Sequence, residues 1–149
     1  MSPTPTVRPL DQLLCFDLYA ASRAVTAFYR PMLDELGLTY PQYLVLVTLE
    51  PGRPCSVREL ADLLHLDHAT LTPMLRRMEG AGVLDRRRST SDERVVEISL
   101  TSVGEALRDR FDDVQCTVGE AVGLDQQEFV ELQRSLRRVV GAVADFRDK

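Results

Sequence analysis

The residues best equipped for chemistry are three cysteines at 15, 55 and 116, four tyrosines, and a block of arginines in the middle of the chain. Three scattered thiols are too few for a disulfide framework, which leaves packing, metal binding and redox chemistry as their candidate roles. No two of them have Cys-x-x-Cys spacing. His65 and His68 lie three apart with no cysteine nearby in sequence, so no zinc site and no cofactor are expected. Those histidines are left solvated or facing a polyanion. All four tyrosines fall near Cys15: Tyr19 in Leu14-Cys-Phe-Asp-Leu-Tyr19, Tyr29 in Phe28-Tyr-Arg-Pro31, and Tyr40 with Tyr43 in Leu38-Thr-Tyr-Pro-Gln-Tyr43. The apolar company of Cys15 (Leu14, Phe16, Leu18, Phe28) equally fits a buried, inert cysteine on a core stripe.

The arginines form an electrostatic footprint. The 149 residues carry 18 basic and 23 acidic side chains, a net charge of −5 that by itself argues mildly against a nucleic-acid partner. The distribution reverses this. From Arg53 to Arg94 eight basic side chains face seven acidic ones, and within 76–94 the balance is +2, all of it arginine. Arginine presents a planar fork suited to phosphates and guanine edges. A charge run is ordinarily a solvated face, so what matters is where these arginines sit.

The elements that must position these groups are read from periodicity. Residues 1–10, rich in proline and threonine, read as a loose arm. From about Asp11 apolar positions recur every three or four residues through Met32, an amphipathic helix that Pro31 should bend or end and Gly37 should stop. A second helix begins near Pro41 and, apolar on nearly all sides, should be buried. Ser56-Val-Arg-Glu59 is a capping box opening a third helix. Asp67 caps a fourth, running to Gly80 with Leu71, Met74, Leu75 and Met78 inward; Pro73 should kink it or delay its start to Thr70 or Thr72. Val83–Arg87 and Arg94–Leu100 read as two strands joined by a polar tip, a hairpin wing. Ser102-x-x-Glu105 should cap a long fifth helix, and Asp125-x-x-Glu128 a sixth with Phe129, Leu132, Leu136, Val139 and Val143 inward.

The expected fold class is therefore mainly α with a small β-hairpin wing. A winged helix-turn-helix at 51–100 is flanked by N- and C-terminal dimerisation helices at 11–50 and 101–149. The flanking helices carry apolar stripes with little core left to cover, which points to a homodimer. In a winged helix one helix enters the major groove while the hairpin reaches the neighbouring minor groove. Here His68, Thr70 and Thr72 would meet bases or phosphates, and Arg76 and Arg77 would hold the backbone. Arg86, Arg87 and Arg88 would flank the wing. Arg94 would enter a narrow minor groove, with Asp92 pairing an arginine to fix the wing's shape. The partner is then double-stranded DNA carrying an inverted repeat.

These segments resemble the MarR family of winged-helix regulators and, within it, the OhrR-type organic-hydroperoxide-sensing repressors, over roughly residues 11–140. The resemblance is carried by Leu14-Cys-Phe-x-Leu-Tyr19, Tyr40-Pro-Gln-Tyr-Leu44, Leu66-Asp-x-x-Thr-Leu-Thr-Pro-Met-Leu-x-Arg-Met78 and Ser91-Asp-Glu-Arg94. It implies that an organic peroxide oxidises Cys15, that the dimer rearranges and that DNA is released. It also implies the wing motif Asp-x-Arg, present as Asp92-Glu-Arg94. A peroxide is attacked by thiolate, which tyrosine hydroxyls can stabilise by hydrogen bonds without adding a competing charge. Tyr19 lies one helical turn from Cys15. Tyr29, fourteen residues on, returns to within roughly 40° of the same face but about 21 Å along the axis. A twofold partner could deliver Tyr29 and Tyr40 instead. Apolar neighbours of the thiol favour an organic peroxide over hydrogen peroxide. Cys116, placed late in the fifth helix, is the candidate resolving thiol, and Cys55 is expected to be a bystander.

Other classes are less well served. The chain has no nucleotide loop and no general base beside Cys15, so an enzyme is not expected. No apolar run is long enough for a membrane span or a secretory leader, and a cytoplasmic location is expected. The alternative that keeps DNA binding is a regulator released by a small phenolic ligand, with no redox role for Cys15.

Overall fold

The computed structural model describes residues 9–149, so the proposed arm at 1–10 lies almost wholly outside the described residues. After a 3-10 turn at Leu10–Gln12 come α1 (Leu14–Glu35), α2 (Tyr40–Thr48), β1 (Cys55–Ser56), α3 (Val57–Leu64) and α4 (His68–Gly80). They are followed by β2 (Leu84–Arg88), β3 (Val96–Leu100), α5 (Ser102–Arg108), α6 (Phe111–Val122) and α7 (Gln126–Arg147). The chain divides into two compact units, one ending at Val114 and the other spanning Gln115–Lys149. Among the described residues no helix is long and apolar enough to cross a membrane.

Local chemistry explains most boundaries in the first unit. Pro31 neither ends nor splits α1, which continues to Glu35. Gly37, at φ +70°, then closes it: the Leu38 amide donates to the Leu33 carbonyl at 3.0 Å and the Gly37 amide to Asp34 at 3.1 Å. Thr39 and Gln42 form a capping box on α2, and Ser56 and Glu59 form another on α3. Asp67 caps α4 through Oδ1, which accepts from the Thr70 amide at 2.7 Å. The helix therefore starts at His68, earlier than Pro73 suggested, and runs through that proline. Pro73 is exposed, and its missing donor costs only one bond of a helix whose other face, with Leu71, Met74, Leu75 and Met78, is buried as expected.

The wing is larger than a hairpin. β2 and β3 pair antiparallel, Leu84 opposite Leu100 and Arg88 opposite Val96, and β1 adds a third strand through Cys55 opposite Ile98. The order is β1-β3-β2.

Three expectations about the later helices are corrected. The cap of α5 is Thr101, one residue before Ser102: its Oγ1 accepts from the Gly104 amide at 3.1 Å and donates to the Gly82 carbonyl at 2.6 Å. The expected long fifth helix is two helices, α5 and α6, parted at Asp109 and Arg110. Phe111 opens α6 buried, with its ring edge-on to Tyr43 at 4.7 Å, a contact that redirects the chain. α7 has the expected Asp125–Glu128 capping box but no buried residue. Phe129, Leu132, Leu136 and Val143, read as inward, are exposed in the single chain.

Candidate nucleic-acid interface and thiol site

α4 offers one uninterrupted outer face. His68, Ala69, Thr70, Pro73, Arg76 and Arg77 are exposed, and Thr72 is half-buried. Spacings of three and four put Ala69, Pro73 and Arg76 on one line and Thr70, Pro73 and Arg77 beside it, opposite the buried leucines and methionines. Short hydroxyl and methyl groups thus lie at the amino end and guanidinium groups one to two turns later.

The wing is held by its own polar groups. Arg94 donates through Nε to Asp92 Oδ1 at 3.1 Å and through Nη2 to Oδ2 at 3.3 Å, and its amide bonds Oδ1 at 3.1 Å. The expected pairing of Asp92 with an arginine is therefore present. These bonds hold the Asp92 carboxyl below its usual range. Arg88 donates to the Glu93 carbonyl at 2.9 Å, and the Ser89 amide donates to Val95 at 2.8 Å. The Arg94 side chain remains 90% exposed, so the pair shapes the tip without burying the cation. Arg87 and Arg88 are also exposed.

Arg86 is placed otherwise than sequence suggested. Its side chain is only 19% exposed, Nη1 lies 4.0 Å from Glu79 Oε1, and Nε is buried without a hydrogen-bond partner. It faces back toward the end of α4 because β2 alternates its faces and Arg86 shares one with Leu84. Arg86 thus ties the wing to α4 where a DNA contact was expected. Glu79 drew no notice in the sequence, since acidic residues late in a helix are usually solvated.

The thiols divide clearly. Cys15 is the second residue of α1 and is exposed, as are its neighbours Leu14 and Phe16, Tyr19 one turn on, and Phe28 farther along the helix. These apolar side chains are not covered by the chain's own core. Cys55 is half-buried on β1; burial and then the facing Glu59 carboxylate push its thiol up, against a smaller pull from Arg53. Cys116 is exposed on α6, since the helix expected to carry it is divided. No group of His, Cys, Asp and Glu among the described residues is arranged to hold a metal ion.

The tyrosines separate into two sets. Tyr19 is exposed, its oxygen accepting from Arg23 Nη1 at 3.2 Å with the guanidinium also 5.4 Å above its ring. That leaves the phenol's own proton to be donated elsewhere. Tyr29 and Tyr40 stand together, ring centroids 5.1 Å apart, and Tyr43 packs on both at 5.3 and 6.1 Å. Burial, and next the neighbouring Tyr43, pushes the Tyr29 and Tyr40 phenols up, so both keep their protons at neutral pH. α1 is unbroken from Cys15 to Tyr29, about 21 Å along the axis, so the chain does not bring its own thiol to this cluster. Beside Tyr40 opens a cleft of about 660 Å³ bordered by Arg23, Thr26, Arg30 and Thr39.

Comparison with known proteins gives consistent results. Residues 38–96 match the model of the MarR family. The organic hydroperoxide resistance transcriptional regulator of Bacillus subtilis (strain 168) is 45% identical over 125 residues, 84% of this chain and 83% of that one. The regulator MgrA of Staphylococcus aureus is 38% identical over 141 residues, 94% of this chain and 96% of its own. Among solved structures, AbfR of Staphylococcus epidermidis is 33% identical with a TM-score of 0.68, covering 91% of this chain and 92% of that one. AbfR has also been solved overoxidized and bound to DNA.

Proposed function

The chain belongs to the MarR family and is a transcriptional regulator, not an enzyme, and from that premise we propose that it is a repressor released from DNA when an organic hydroperoxide oxidises Cys15. The DNA-facing surface is the outer side of α4 with the tip of the wing. Thr70 and Thr72, with His68, meet the major groove; Arg76, Arg77 and Arg88 hold phosphates; Arg94, shaped by Asp92, enters the minor groove. The working unit is a homodimer. α7 exposes Phe129, Leu132, Leu136, Val140 and Val143 along one stripe, and a 22-residue helix with such a stripe needs a partner to cover it. Two copies related by a twofold axis read an inverted repeat with half-sites about one helical turn apart.

One observation carries the redox reading: an exposed thiol on an exposed apolar stretch of α1, in a chain that assembles a buried Tyr29 and a half-buried Tyr40 out of that thiol's own reach. A second copy covers the stripe and brings its Tyr29 and Tyr40 to the sulfur, with Tyr19 adding a donor from the thiol's own helix. The thiolate attacks the outer oxygen of the hydroperoxide. The O–O bond breaks, sulfur is oxidised to sulfenic acid, and the alkoxide takes a proton and leaves as the alcohol. A second thiol can then condense with the sulfenic acid, forming a disulfide and releasing water. Cys116 is the candidate, and an intersubunit crosslink on non-reducing electrophoresis of oxidised protein is the expected sign.

A gel-shift series on the operator tests the reading. Cumene hydroperoxide should release the reduced protein, dithiothreitol should restore binding, and Cys15→Ser should stay bound throughout. The cleft beside Tyr40, with Arg23 and Arg30 at its border, supports one rival, a small phenolic ligand as the trigger. Release of Cys15→Ser as readily as wild type favours that rival.

A further inference from the structure

We infer that Arg86 and Glu79 are positioning residues for DNA reading, their ion pair bracing the wing against α4 so that Arg94 meets the minor groove while α4 sits in the major one. The inference rests on the DNA-facing surface assigned above and is independent of the thiol. Arg86 is the middle residue of β2, directly opposite Ile98, so its side chain leaves the sheet on the same face as that fully buried residue and Leu84. An arginine there must run its stem along apolar surface and bring its charge to an acid. That acid is Glu79, with Nη1 4.0 Å from Oε1 and the arginine side chain 19% exposed. Nε stays buried without a hydrogen-bond partner. A leucine would fill the position with no orphaned donor, so stability does not account for the arginine. Glu79 is no better placed by itself, since it stands in the last turn of α4, where the helix's carbonyl end repels a carboxylate. Each residue is unfavourable alone, and together they join α4 to the wing.

What the pair controls is an angle. α4 and β2 are joined through Ala81, Gly82 and Val83, with Gly82 at φ +77°, and Thr101 fastens that turn by donating to the Gly82 carbonyl at 2.6 Å. This fixes the base of the wing, and the ion pair, farther out along β2, opposes its tilt. Leu84 lies at the base and Arg88 pairs with Val96, with Arg94 two residues beyond. At about 3.3 Å per residue the tip then stands roughly 20 Å from the base. A tilt of about 10° would carry Arg94 roughly 3 Å, more than a hydrogen bond tolerates and about half the width of a minor groove.

Glu79→Gln in the full-length protein separates this from simple electrostatics. Neutralising an acid on a DNA-binding protein ordinarily tightens binding, whereas loss of the brace should weaken it about fivefold per half-site, read by anisotropy on a labelled operator. Arg86→Gln should do the same and the double variant no more, since either substitution opens the pair. In each background Arg94→Ala should cost only about twofold in place of about tenfold, because the tip has already left its groove. Arg76→Ala on α4 should keep its full penalty. With Arg94 already replaced, Arg86→Gln should leave the salt slope where it is. Unchanged or tighter binding by Glu79→Gln overturns the inference. So does a full Arg94 penalty in the Glu79→Gln or Arg86→Gln background, which is what a merely structural pair would give. A further flattening of the slope by about 0.9 also overturns it, by making Arg86 a phosphate contact. The Glu79 side chain is 43% exposed, so Glu79→Gln keeps the fold and decides the matter should Arg86→Gln not fold. Unchanged affinity of Arg94→Ala alone would instead overturn the wing contact beneath the inference.

Discussion

Replacing Arg94 by alanine examines the DNA-facing surface where its geometry is best defined. The guanidinium is 90% exposed yet held by both oxygens of Asp92, so it reaches solvent already oriented. A charged hydrogen bond to a phosphate or groove edge contributes about 1.5 kcal/mol, so each half-site should lose about tenfold in affinity. One cation fewer should flatten the slope of log affinity against log salt by about 0.9 per half-site. The substitution also strips Asp92 of its partner and leaves a bare carboxylate near phosphates. At low salt, where the Debye length is well above its physiological ~8 Å, that repulsion costs roughly a further twofold. Adding Asp92→Asn to Arg94→Ala should recover this smaller part, most of it at low salt. The pH dependence follows from the lowered Asp92 carboxyl. A group whose folded pKa is depressed contributes above its unfolded value and loses that contribution as pH falls through the folded value. The wing pair should therefore persist from ~pH 8 down to ~pH 5 and fail only in the acid range below ~4. Fluorescence anisotropy on a labelled operator across a salt series measures all of this. An unchanged slope and affinity in Arg94→Ala would remove the wing tip from the DNA contact.

Two further substitutions test the scaffold. At Gly104 a Cβ would collide with the Val83 carbonyl oxygen, where α5 lies against the start of β2. Gly104→Ala should cost about 2 kcal/mol and lower Tm by several degrees in calorimetry, and a wild-type Tm would show that the approach relaxes freely. Leu136→Glu combined with Val143→Glu places two charges on the uncovered stripe of α7. Light scattering should report a monomer and operator affinity should collapse, whereas a persistent dimer would assign the interface elsewhere.

The helix-turn-helix was legible because its signals are local. Ser56 with Glu59, Asp67 with Thr70, and the inward Leu71, Met74, Leu75 and Met78 are all set by neighbours within four residues. What escaped was set at longer range. β1 is two residues long and exists only because Cys55 finds Ile98, forty-three residues away. The break between α5 and α6 answers to Phe111 meeting Tyr43, and no capping signal precedes it. Pro73 weighed too heavily, since a well-buried opposite face outlasts one lost bond. Among the candidate site residues, Asp92 with Arg94 was readable from a spacing of two. Arg86 was not, because an arginine's place in a polar run does not say which face of a strand it occupies. The four tyrosines stood out by type, but their spacing did not show that Tyr43 packs against both Tyr29 and Tyr40.

The account turns on a thiol served by phenols from another subunit, and mixed dimers measure that directly. In a dimer pairing one Cys15→Ser chain with one Tyr29→Phe chain, the surviving thiol faces an intact Tyr29 across the interface. In a dimer pairing wild type with a chain carrying both substitutions, the surviving thiol faces phenylalanine. The first is expected to oxidise with cumene hydroperoxide at the wild-type rate per thiol and the second to oxidise slowly. The reverse order would mean that each chain serves its own sulfur, and would contradict the account.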